Sequence, residues 1–220
     1  MKLLKTTAVA GLLVASSAVT AVELSGNVAL TTDYVWRGVS QSDNGVAIQG
    51  GFDAGFENGL YAGVWGSNVD FGDSASLELD LYAGWAGEFS GVGVDAGIIH
   101  YAYPDENGSN FNEVYLGLSM GPVSLMHSVG FDTGSENTGD NDFGNYTDLG
   151  LDLGEVSGVA FGAHLGHYDL KDGGDDYSDW KLSASTGFIG ADWELAYTDS
   201  DSDAGNLGDE RVILTVSKSL

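Results

Sequence analysis

The feature that most narrows what this chain can become is an alternation of side-chain type that starts at residue 24 and returns to the end. In residues 24–41, LSGNVALTTDYVWRGVSQ, one parity holds Leu24, Gly26, Val28, Leu30, Thr32, Tyr34 and Trp36. The other holds Ser25, Asn27, Ala29, Thr31, Asp33, Val35 and Arg37. Successive side chains of a strand leave opposite sides of the pleat, so a period of two marks a strand with one apolar and one polar face. About twelve such segments follow one another. In 77–85, Leu77, Leu79, Leu81, Ala83 and Trp85 oppose Glu78, Asp80, Tyr82 and Gly84; in 191–198, Trp193, Leu195 and Tyr197 oppose Asp192, Glu194 and Ala196. The phase of 60–69 is ambiguous, because Tyr61 and Trp65 share one parity and Leu60, Ala62 and Val64 the other. The second set is expected to face outward.

The connections alternate as well. Those near Asn58, Ser90, Pro122, Val156 and Ile189 are brief, with Asn58-Gly59 expected to supply the positive φ values of a tight hairpin. Those near Asp43, Asp73, Asn107, Asn137, Gly173 and Asp203 are longer and rich in Asp, Gly, Ser and Asn. Outer-membrane barrels thread in this way, with short turns at the periplasmic end and long loops outside. An even strand count puts both termini at the short-turn end. In hydrocarbon an unpaired edge would leave backbone groups unsatisfied, so the last strand must close on the first and no C-terminal tail is expected. The expected fold is all-β: a transmembrane antiparallel up-and-down β-barrel of about 12 strands over residues 22–220, preceded by a cleavable signal peptide at 1–21.

That leader has Lys2 and Lys5 ahead of an apolar stretch over 8–14, with Val19 and Ala21 small enough for cleavage. The stretch is too short for a spanning helix, and no later segment reaches the 18 to 20 or so apolar residues that one needs. Beyond the leader, five basic residues face 33 acidic ones. Nucleic acid is excluded as a partner, since binding it depends on Lys and Arg neutralising phosphates. Without cysteine there is no disulfide or thiolate metal framework. The P-loop, dinucleotide and zinc patterns are missing, and no cofactor is expected. The 34 glycines lie within alternating segments and at turns, which suits a curved sheet.

Residues 32–41 (TDYVWRGVSQ), 59–69 (GLYAGVWGSNV), the Tyr101-Ala102-Tyr103-Pro104 corner and the final Val216-Ser217-Lys218-Ser219-Leu220 resemble the TorF-type porins, a proteobacterial family otherwise of unknown function. The resemblance runs the whole mature chain and implies an outer-membrane location. Leu220 departs from the aromatic residue with which such proteins commonly end, but keeps that position apolar for the barrel assembly machinery.

With the apolar parity toward lipid, the lumen-lining residues are Asp33, Arg37, Asp53, Glu78, Asp80, Asp95, Glu113, Asp148, Asp152, Asp179, Lys181, Asp192, Glu194 and Arg211. Such a wall reads either as a narrow water-filled channel favouring cations, or as a closed lumen with its three cations bridged by carboxylates. Tyr34 and Trp36 are expected in the outer interfacial belt. Asp33 and Arg37 are expected as lumen neighbours, forming a constriction or an ion pair. The acidic loops 132–142 and 199–210 could bridge to lipopolysaccharide through divalent ions, but neither matches a calcium loop. They read best as solvated.

The function expected is passive diffusion of small solutes or cations across an outer membrane, in contact with its lipid and lipopolysaccharide. Two other classes are weighed against it. A barrel enzyme of lipase or protease type would need one of His100, His127, His164 or His167, and only His164 shares the lumen parity. A secreted soluble barrel for a hydrophobic ligand would bury about twelve strands of large apolar residues in one cavity and turn a carboxylate sheet to water.

Overall fold

The computed structural model describes residues 22–106, 109–131, 142–171 and 174–220. The leader at 1–21, most of the acidic loop from Asp132, and the loop centres near Asn107 and Gly173 lie outside the described residues. Twelve antiparallel strands close into one barrel. In chain order they are β1 (Glu23–Thr31), β4 (Ala47–Gly55), β5 (Leu60–Asn68), β6 (Leu77–Phe89), β7 (Val92–Ala102), β8 (Phe111–Met120), β9 (Val123–Phe131), β10 (Asp142–Val156), β11 (Val159–Asp169), β12 (Tyr177–Phe188), β13 (Ala191–Ser200) and β14 (Arg211–Ser219). Closure comes from β1, which pairs with β4 on one side and β14 on the other, Asn27 lying opposite both Gly51 and Ser219. A minor sheet of β2 (Val35–Trp36) and β3 (Val39–Ser40) stands apart from the wall.

Nine to fifteen residues per wall strand suits a tilted crossing of a hydrocarbon layer, which needs about 9–11. The apolar parity faces out. Leu24 is 76% exposed, Phe52 67% and Leu81 55%, while Glu78, Asp80 and Glu113 are at most 4% exposed. In β5 the outward set is Leu60 and Ala62, and Tyr61 turns inward to Asp95. This polarity is the inverse of a water-soluble barrel, and with it the soluble hydrophobic-ligand carrier is set aside.

Short and long connections alternate as the sequence implies. Ser90-Gly91, Ser157-Gly158 and Ile189-Gly190 carry positive φ at both positions, the backbone that matches strand twist in a two-residue hairpin. The Asn58 turn is built differently, since of that pair Gly59 alone takes positive φ. Aromatics gather near the short-turn end, where Trp85 and Trp193 donate indole N–H groups to the carbonyls of Asn58 and Phe188.

Candidate functional site

The alternation of residues 24–36 continues past the point where the chain leaves the wall. β1 ends at Thr31, and residues 32–46 fold back into the barrel from the long-loop end. Val35 pairs with Ser40 and Trp36 with Val39. Arg37 and Gly38 form the tip, both with positive φ, at 49° and 79°. Gly38 fits because a Cβ there would collide with Asp179 and Ser200. Arg37 occupies the left-handed region despite its side chain, a cost met by what that side chain touches.

The Arg37 guanidinium lies with its carbon 4.1, 4.3 and 4.8 Å from the ring centroids of Trp36, Tyr146 and Tyr168. Its Nη2 donates to Glu113 Oε2 at 2.7 Å, and Nη1 lies 2.7 Å from Oε1, a two-pronged ion pair. Burial alone would disfavour the charge, but Glu113 more than restores it, and the Arg37 pKa lies above its ordinary value. Trp36 packs edge-on against Tyr101, Phe111 and Tyr168. Tyr34 meets Trp65 and donates to Glu78 at 2.8 Å. At the foot of the hairpin, Asp33 accepts from Ser40, Ser42 and Arg211, the last at 2.8 Å. These contacts reach β5 to β8 and β10 to β14, so the hairpin stands across the bore.

Two expectations are corrected here. Tyr34 and Trp36 are not in an interfacial belt but inside the barrel, because nine residues already span the layer and nothing obliges the next ones to face lipid. Asp33 and Arg37 are not each other's partners: the turn between them sends Arg37 across to Glu113 on β8, while Asp33 pairs with Arg211 on β14.

The other inward residues form two levels. Beside the hairpin, Glu78 accepts from Tyr34 and from Tyr103 at 3.0 Å, and Glu113 also accepts from Tyr101 at 3.1 Å. Asp80 is buried, and among the described residues no hydrogen-bond donor reaches its Oδ1. His164 lies between Asp148, 2.9 Å from Nδ1, and Asp179, 2.7 Å from Nε2. With both ring nitrogens donating to carboxylates, this imidazole is a counter-ion and has no nitrogen left to accept a proton from a nucleophile. His100 and His127 face outward and bond to Asn112 and Thr147.

Toward the short turns the inward side chains are half-exposed. Asp95 accepts from Tyr61 at 2.6 Å, Asp53 accepts from Tyr82, and Lys181 stands 3.7 Å from Glu194. Asp192 and Asp152 are exposed at this end, Asp152 accepting from the amide of Gly154 at 2.8 Å. Alternation picks out these inward positions but not their cross-bore partners, which lie as many as 178 residues apart.

The closed twelve-stranded barrel is a fold that this chain shares with solved porins. A KdgM porin superposes with a TM-score of 0.59 at 12% identity, covering 89% of this chain and 99% of that one. A KdgM porin in complex with disordered oligogalacturonate gives 0.56 at 11% identity, over 90% and 98% of the two chains. A NanC porin gives 0.55 at 11%, over 89% and 98%. The chain belongs to the Gcw_chp family, described as bacterial proteins of unknown function, whose profile matches residues 15–220. Among curated proteins none matches the chain in sequence.

Proposed function

We propose that this protein is a channel of the Gram-negative outer membrane that passes small solutes by diffusion and favours cations. The observation that carries the reading is the inverted polarity of a closed barrel, greasy toward lipid and acidic toward its axis. The TorF-type porin resemblance of residues 32–41 points the same way. The long loops then face outward toward lipopolysaccharide, the short turns face the periplasm, and insertion runs through the barrel assembly machinery after export by the 1–21 leader. One KdgM structure holds oligogalacturonate, a polyanion. The wall described above would repel such a ligand, so this chain serves neutral or cationic solutes.

The hairpin sets the resting state. Standing across the bore and latched by Arg37 to Glu113, it leaves the channel narrow at the external end until it shifts. Catalysis has no part in this reading. Liposomes containing the refolded protein should swell in small neutral or cationic solutes and much less in anionic ones of equal size. Correctly folded protein that admits none of them, even with the hairpin loosened, would remove the channel reading.

A further inference from the structure

Between the hairpin and the short turns the wall has two unlike sides. On β10 to β14 the inward positions mix small or hydroxylated residues, such as Gly150, Ser183, Ser185 and Thr215, with the charged Asp152, Lys181, Asp192 and Glu194. On β5 to β8 they are Tyr61, Tyr82 and Tyr115, each set against a glycine on the neighbouring strand: Gly84, Gly63 and Gly97 in cross-strand register. A Cβ on any of these glycines would collide with the ring beside it. The phenol ends therefore rest directly on the wall, and the three rings stay partly exposed on its inner side. Tyr61 joins Tyr115 through their hydroxyls, Asp95 accepts from Tyr61, and Asp53 accepts from Tyr82.

This side is short of positive charge. Among the described residues every inward cation is committed elsewhere: Arg37 to Glu113, Arg211 to Asp33, Lys181 to Glu194, and His164 to Asp148 and Asp179. Asp53 and Asp95 meet phenol hydroxyls, which share a hydrogen bond without balancing the charge. A water-reached wall that offers aromatic surface beside two uncompensated carboxylates is complementary to one kind of solute. We propose that it is a binding site for small organic ammonium ions, entered from the short-turn end. Ring faces attract a weakly hydrated ammonium group, while the carboxylates supply the counter-charge. Sodium would have to shed water to gain from the rings, a neutral sugar gains nothing from the charge, and an anion is repelled. The inference deepens the channel reading, on which it rests for the solute's route.

The test is calorimetric titration of the refolded full-length protein in non-ionic detergent with tetramethylammonium, against sodium at equal ionic strength and against glucose. Saturable binding of tetramethylammonium about tenfold tighter than sodium, with glucose not bound, is the expected result. Tyr61→Leu with Tyr115→Leu should weaken it about tenfold, the matching Phe pair should keep it within about threefold because the faces remain, and Asp95→Asn should weaken it. Sodium competing equally, glucose binding, or indifference to loss of the rings would each overturn the site. The wild-type comparison decides the matter even if the Leu pair fails to fold. Binding without conductance would count against the channel alone, and conductance without ammonium binding against this site alone.

Discussion

Replacing Arg37 by Gln is the perturbation that most directly probes how the bore is closed. In the wild type the Arg37 side chain is 7% exposed and that of Glu113 3%, joined by two contacts of 2.7 Å. Removing one partner of such a buried pair leaves an uncompensated charge and costs about 3–5 kcal/mol. Undocking lets Glu113 regain water, so this cost falls on the docked hairpin and shifts its equilibrium toward the open form by about two to four powers of ten. The lost contacts with the three rings act in the same direction. Planar-bilayer recordings of Arg37→Gln should show a much larger fraction of time at high conductance. Arg37→Lys, which keeps the charge but not the fork, should lie between. The pair Arg37→Met with Glu113→Leu should return to nearly the wild-type closed fraction, because an apolar pair of similar volume can substitute for a buried ion pair. If Arg37→Gln opens no more than the wild type, or if the double variant opens as much as Arg37→Gln, the latch is refuted.

Three further substitutions test the wall. Phe52→Arg puts a cation on the outward face at a residue 67% exposed in β4, and should cost about 2–4 kcal/mol near the bilayer midplane; the heat-modifiable band on a gel should show a lower folded fraction. Gly63→Ala drives a methyl group into the Tyr82 ring and should destabilise the barrel by about 1–3 kcal/mol. Gly55→Ala, with nothing within 4 Å of the added carbon, should be close to neutral, and urea titration of the two glycine variants side by side checks the difference.

The wall was legible because it obeys a local rule. Each strand alternates, and one outward Leu or Val fixes the facing of its neighbours, which is why Tyr61 could be turned inward against the pull of its own apolar ring. The hairpin was not legible for the converse reason. Residues 32–36 keep the alternation of β1, and parity cannot say that the chain has left the sheet. A length rule could have said it: Glu23–Thr31 already spans the layer, and the fifteen-residue connection to Ala47 is far more than a loop between adjacent strands requires. The partners of Arg37, Asp33 and Tyr34 lie on strands whose angular positions depend on closure of the whole barrel, so no local pattern records them. The glycines opposite Tyr61, Tyr82 and Tyr115 were visible as a composition, but their purpose appears once register pairs each with a ring.

Everything proposed for this barrel depends on the charge of its axis. The reversal potential of single channels in a planar bilayer with a tenfold potassium chloride gradient at neutral pH reports that charge directly. An acidic bore predicts a potential on the potassium side, enlarged when Arg37→Gln removes a lumen cation. A potential on the chloride side would contradict the account.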